Sequence, residues 1–220
     1  MICGVDEAGK GSVLGPMVVA AVGAPSDNVL ADLAIKDSKL LSLKNREHLF
    51  SLIQERCRIA TVIIPASGID AWRKEITMNT CVARAHAAVI SRLRPEIAYV
   101  DACDVDPERY KRMVQENLSG TECEIVSEHH ADRTYRIVSA ASIVAKVVRD
   151  RKVRELSQTY GGIGSGYPSD PVTIAFLSSY IQQHHQPPAC ARKSWKTVIA
   201  LIADREQSTL AFGTGTEDLP

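Results

Sequence analysis

The sequence predicts an α/β protein: a mixed five-stranded sheet flanked by helices, with a helical extension at its C-terminal end. Two observations carry that reading. Five short apolar runs, MICGVD, VLGPMVVAAVG, RIATVIIP, EIAYVDA and CEIVSE, are each bounded by Gly, Pro or charged clusters, as strands are. Longer stretches between and after them repeat apolar residues at helical spacing. The first three runs follow one another closely and predict an antiparallel meander. The last two are separated by helical segments and predict crossover connections.

The helices follow in order. SLKNREHLFSLIQERC places Leu43, Leu49, Leu52 and Ile53 near one face, with Ser42 set to cap the start. MNTCVARAHAAVISRL forms a second helix that ends before Pro95, because a residue preceding proline is pushed out of the helical region. TYRIVSAASIVAKVVRDRKVRELSQTY is the longest; its small Ala and Ser residues permit close approach to a sheet, and Gly161 and Gly162 stop it. Beyond the turn GGIGSGYPSDP, the stretches PVTIAFLSSYIQQHH and SWKTVIALIADREQ are helical and QPPAC separates them. We place a core at residues 1–160 and a C-terminal helical part at 161–220, closed by STLAFGTGTEDLP as a mobile tail.

A chain of 220 residues, 45% of them hydrophobic, is long enough to bury its own core. Its formal net charge is zero, so any nucleic-acid site has to be local. The six cysteines, Cys3, Cys57, Cys81, Cys103, Cys123 and Cys190, stand singly without a C-x-x-C pair, which predicts reduced core thiols rather than zinc ligands. No basic region followed by an apolar stretch opens the sequence and no window is apolar enough for a membrane span. A soluble cytoplasmic protein is expected.

The chemistry lies in acids at the ends of strand-like runs. Asp6 and Glu7 follow MICGV, Asp101 follows IAYV, and Asp132 precedes the long helix. Carboxylates gathered at buried strand ends are costly to desolvate and repel one another. A divalent cation resolves that conflict: hard Mg²⁺ prefers oxygen ligands, and two such ions about 3.5–4 Å apart stabilise both oxygens of an in-line phosphodiester displacement. Spacing alone leaves a second reading open, in which the acids belong to a turn, a strand end and a helix cap.

GVDEAGKGSVLGPMVVAAV closely resembles the opening motif of the ribonuclease HII family, the type 2 ribonucleases H. The resemblance continues through DSKLLS, MN, YVDA, HHADRTYRIVSAASIVAKVVRD, GSGYPSDP and RKSWKT over nearly the whole chain, the last two blocks in the archaeal and eukaryotic manner. It implies a ribonuclease H-like sheet and assigns Asp6, Glu7, Asp101 and Asp132 as the catalytic, metal-binding tetrad for Mg²⁺ or Mn²⁺. It further implies cleavage 5′ to ribonucleotides in RNA/DNA hybrids and in duplex DNA with embedded ribonucleotides, leaving 3′-hydroxyl and 5′-phosphate ends, by a monomer.

Candidate substrate contacts come from the same resemblance and from local pattern. Gly9, Lys10 and Gly11 stand where the family usually has Gly-Arg-Gly, a loop that meets the ribonucleotide through its backbone; Lys10 keeps the charge but loses the arginine fork. Tyr167 matches a tyrosine that packs on the sugar beside the ribonucleotide. Lys39, Lys44 and Arg46 cluster at a helix entrance whose free N–H groups favour phosphate, or form a solvated helix face, and Asn79 matches a substrate-contacting asparagine that could equally be a cap. Ser139, Ser142 and Lys146 share a helix face near Asp132, suited to a phosphate or to packing. Arg192, Lys193, Trp195 and Lys196 form a basic cluster with one aromatic, either a DNA patch or a helix anchor. Gln207, Leu210 and Phe212 of the tail faintly resemble a sliding-clamp-binding peptide, short by one residue and by one aromatic.

Rival readings fail on particular residues. GVDEAGK satisfies the spacing of a nucleotide-binding P-loop, but Asp6 and Glu7 would repel phosphates and Gly11 replaces the hydroxyl residue. A non-catalytic binding module has no chemical need for four acids. A wider ribonuclease H-like nuclease would lack the glycine loop paired with Tyr167. His129 and His130 have no partner histidine at ligand spacing elsewhere.

Overall fold

The computed structural model describes residues 1–35 and 42–213, with side chains through residue 207. Five strands, β1 (Ile2–Ala8), β2 (Met17–Ala24), β3 (Arg58–Ile64), β4 (Ile97–Asp101) and β5 (Glu124–Glu128), form one sheet in the order β3-β2-β1-β4-β5. β1, β2 and β3 make the expected antiparallel meander, and β4 and β5 join in parallel through crossovers. Lys39 lies outside the described residues.

The helices are α1 (Leu43–Arg56), α2 (Ala66–Trp72), α3 (Met78–Leu93), α4 (Pro107–Gln115), α5 (Ala131–Thr134), α6 (Arg136–Tyr160), α7 (Pro171–His184) and α8 (Lys196–Gly213). Ser42 caps α1, its hydroxyl accepting the Asn45 N–H at 3.2 Å. In α1 the buried residues are Leu49, Phe50 and Ile53, and Leu43 is exposed because it falls in the first turn, beyond the edge of the sheet-facing stripe. Thr77 caps α3, and Arg94 in the left-handed region ends it before Pro95. Gly161, at φ +76°, ends α6.

Three short helices escape the sequence pattern. α2 spans about two turns and includes Gly68, and α5 has only four residues. In α4 only Tyr110 and Val114 are buried, too few apolar positions to register as a period, although Asp106 followed by Pro107 is a helix-start signal. The predicted tail is corrected in part: the chain continues as α8 to Gly213, since no proline or glycine interrupts QSTLAF.

Layers of helix cover both faces of the sheet. On one, Val18, Ala20 and Val22 of β2 pack with Leu49, Ile53 and the Ile137–Val147 stretch of α6. On the other, Cys3, Val5, Val19 and Ala21 meet Val82, Val89 and Ile90 of α3 with Tyr110 of α4. Every residue of β2 is buried, which explains its unbroken apolar run. A third cluster joins Val13 and Leu14 to Val153, Ile163, Leu177 and Val198, so the C-terminal helices are seated on the loop after β1 and the far end of α6. Cys3, Cys81 and Cys190 are buried free thiols; Cys57, Cys103 and Cys123 are half-buried. Among the described residues no helix is long and apolar enough to cross a membrane.

α6 approaches β1 so closely that a Cβ on Gly4 would lie 2.2 Å from the Ile137 carbonyl carbon. Gly4→Ala should therefore act as an overpacked core residue, destabilising by about 1–3 kcal/mol and lowering the thermal midpoint by roughly 2–12 °C. An unchanged melting curve would show that α6 can move off the sheet without loss.

Candidate active site

The sheet brings three acids to one edge. Asp6 and Glu7 lie near the end of β1 and Asp101 ends β4; Val5 pairs with Val100 across the two parallel strands, so Asp6 stands level with Asp101. Alternate strand residues face opposite sides. Asp6 faces α6, where the Ser142 hydroxyl donates to it, while Glu7 faces α3, its Oε2 lying 3.1 Å from His86 Nε2. Asp132 enters from α5, whose Ala131 N–H donates to Asp101 Oδ1 at 3.2 Å.

Electrostatically this edge is under tension. Burial, and then the charges of Glu7 and Asp101, push the Asp6 carboxyl well above the usual range, against hydrogen bonds from Ser142 and the Glu7 N–H. Burial, then Asp132 and Glu7, raise Asp101 as well. Asp132 Oδ1 is buried without a hydrogen-bond partner. Such an atom ordinarily costs about 1–3 kcal/mol.

Among the described residues no group of three or more His, Cys, Asp or Glu closes as it stands on a metal ion. Glu7 is hydrogen-bonded to His86. The donor set nevertheless fits a hard divalent cation: mutually repelling oxygen anions, one with an unpaired buried oxygen, whose conflict a positive charge would relieve.

Behind the acids lies a relay that the sequence does not announce. His86, fully buried, bridges Glu7 and Tyr110, whose hydroxyl is 3.1 Å from His86 Nδ1. The one available signal was a histidine inside the apolar stripe of MNTCVARAHAAV.

The other predicted positions divide. Gly9 adopts φ +84°, closed to other residues without strain, and Gly11 has open space around its Cα. Lys10 Nζ donates to the Cys103 carbonyl at 2.9 Å, tying this loop to the segment after β4. Ser139 donates to the Asp132 carbonyl, and Lys146 donates to Ser142 Oγ at 2.9 Å, so both support the acids. Asn79 is not the cap of α3; its amide donates to Asp104 at 2.9 Å. Arg46 pairs with Asp150 on α6 at 3.0 Å and with none of the four acids. The Tyr167 ring lies 4.5 Å from the Arg149 guanidinium.

Arg192 is fully buried, which removes it from any surface patch and makes it an anchor. Its guanidinium donates to the carbonyls of Gly9 at 2.5 Å, Lys10 at 2.8 Å and Gly15 at 3.3 Å, and stacks over Trp195. Asp70 of α2 accepts the Lys193 and Ser194 N–H groups beside it.

A mixed sheet of this order, with acids at the ends of β1 and β4 and before α6, defines the ribonuclease H-like class. A family model described as Ribonuclease HII matches residues 3–198. A ribonuclease HII of Methanoregula boonei is 63% identical over 210 residues, covering 96% of this chain and 98% of that one. The Pyrococcus horikoshii OT3 ribonuclease H2 superposes with a TM-score of 0.87 at 37% identity, over 94% of this chain and 99% of that one. The Archaeoglobus fulgidus ribonuclease HII, solved in complex with PCNA, gives 0.85 at 43% identity over 91% and 96%. A ribonuclease HIII solved with Mn²⁺ shares the fold alone, at 21% identity and a TM-score of 0.78 over 94% of this chain and 70% of that one. The chain belongs to the ribonuclease HII family, which are ribonuclease H endonucleases.

Because the folded value of Asp6 lies above its ordinary 3.8, the folded metal-free protein holds the extra proton and loses stability as pH rises past 3.8 toward the raised value. Asp6→Asn removes that loss. In chelator the variant should melt above the parent at pH 7, by roughly 2–8 °C for ~1–2 kcal/mol, and the gap should close toward pH 3.5. A variant melting lower at neutral pH would refute the repulsion.

Proposed function

We propose that this protein hydrolyses the phosphodiester 5′ to ribonucleotides, in RNA/DNA hybrids and in DNA duplexes with embedded ribonucleotides, leaving 3′-hydroxyl and 5′-phosphate ends. The observation that carries the reading is the crowding of Asp6, Glu7, Asp101 and Asp132 beside a glycine loop whose backbone is open to a ligand. These four acids would hold Mg²⁺ or Mn²⁺, which when bound supplies the positive charge that stabilises the attacking and leaving oxygens.

The chain's own residues do the rest. Ser142 and Ala131 N–H orient Asp6 and Asp101. Lys146, behind Ser142, adds positive charge beside a substrate phosphate. Gly9 supplies the left-handed turn, and Gly11, with open space where a Cβ would stand, allows the main chain to approach a ribose, where the 2′-hydroxyl alone distinguishes RNA from DNA. Tyr167 supplies a flat face for the neighbouring sugar. Residues 161–213 serve as a substrate-binding extension to the catalytic core.

The six free cysteines suit a reducing cytoplasm, and the reading takes the protein as a monomer. The PCNA complex of the Archaeoglobus relative supports a sliding-clamp contact, and the resemblance of Gln207, Leu210 and Phe212 to a clamp-binding peptide assigns it to the C-terminal segment.

The reading is tested on three labelled duplexes, with one embedded ribonucleotide, with an all-RNA strand and with DNA only, in Mg²⁺ and in chelator. Incision 5′ to the lone ribonucleotide, dependent on the metal, is expected; no cutting of any duplex would overturn the assignment. His86→Leu should free Glu7 and weaken Mn²⁺ binding by about tenfold or more in a calorimetric titration. Unaltered affinity would show that Glu7 needs no such support.

A further inference from the structure

Two arginines lie buried beneath the glycine loop, and the chemistry described so far uses neither. Arg192 comes from the C-terminal extension and is fully buried; Arg149 comes from α6 and is 4% exposed. The side-chain partners of Arg192 are the three main-chain carbonyls of Gly9, Lys10 and Gly15, two of these residues at positive φ. Arg149 donates to the Ser165 carbonyl at 3.0 Å and lies against the Tyr167 ring. It also fills the space beside Gly9, where a Cβ would come within 2.4 Å of its Nε. Main-chain bonds complete the joint: Arg192 N–H to Val13 O at 2.9 Å, and Val13 and Leu14 N–H to Gly166 O at 2.8 and 3.1 Å.

Burying a guanidinium on neutral carbonyls is expensive, and placing a second one beside it raises the expense. Burial first, and then the neighbouring Arg149, lower the Arg192 guanidinium below its ordinary value. Apolar side chains would fill the volume at less cost. What they could not do is hold three carbonyls at fixed spacing, which the planar five-donor fork does and a lysine cannot.

We propose that Arg192 and Arg149 are positioning residues that set the gap between the Gly9–Gly11 backbone and Tyr167, and with it the fit of the substrate's sugar. The inference rests on the nuclease reading above. Neither arginine touches substrate; each acts through the loop it holds, and so the C-terminal extension tunes a site whose acids all lie in the core.

The test uses the full-length protein and Arg192→Lys, which keeps the charge and loses the fork, with Arg149→Met as a second variant of similar volume. Kinetics on the single-ribonucleotide duplex are measured well below each variant's melting point, alongside Mn²⁺ calorimetry and amide hydrogen exchange. The expected result is a kcat/KM about ten- to a hundredfold lower, carried mainly by KM, with Mn²⁺ affinity unchanged and faster exchange in residues 9–15 and 164–167 together. Lowered melting points with unaltered KM and loop exchange would overturn the proposal, leaving the arginines as packing. A parent enzyme that fails to cut the ribonucleotide duplex would instead overturn the nuclease reading, while the exchange comparison still decides whether the clamp exists.

Discussion

Seating α6 directly on β1 is the constraint from which the rest of the site follows. It is possible because Gly4 has no side chain and because Ala140, Ala141, Ser142 and Ala145 are small. With the helix at that distance, residues on one face meet the site in sequence. Ser139 holds the Asp132 carbonyl, Ser142 reaches Asp6, Lys146 stands behind Ser142, Arg149 lies beneath Gly9, and Val153 joins the C-terminal cluster. The spacing of three and four residues is that of a helix stripe. Any shift of α6 along or away from the sheet would displace the support of the acids and of the glycine loop together.

Stability and function pull against each other at the strand ends. An apolar residue at position 6 would suit the surrounding burial; a carboxylate there is tolerated because Ser142 and the Glu7 N–H donate to it and because a cation can later offset the charge. Glu7 is held by His86, which Tyr110 holds in turn. The open arrangement of the acids is thus a balance between repulsion inside the group and hydrogen bonds from α3, α5 and α6.

Much of this was legible in the sequence, unevenly. The strands and the long helices follow from apolar runs bounded by Gly and Pro, and α3 begins and ends where its periodicity does. The four acids were legible as a set only through the family resemblance, since strand pairing, which puts Asp6 beside Asp101, is invisible to spacing. His86 was missed, and Arg192 left between a surface patch and an anchor, for one reason: a polar residue that is fully buried looks, in sequence, like one on a surface. Arg192 sits among Lys193 and Lys196, and nothing local reveals that its partners are 177 to 183 residues earlier. α4 and the extension of α8 show the limit of periodicity where few side chains are buried or a polar stretch keeps good helix formers.

The contact between Gly9 and Arg192 joins almost the first turn of the chain to almost the last helix. During synthesis β1 and β2 can pair once β2 has emerged, but the carbonyls of the glycine loop lack the Arg192 guanidinium until that residue leaves the ribosome. The acids can therefore gather before the loop is set. In a chain cut before residue 192 the carbonyls of Gly9, Lys10 and Gly15 would lose these guanidinium donors, while the strand pairs, all formed within residues 2–128, would keep both partners.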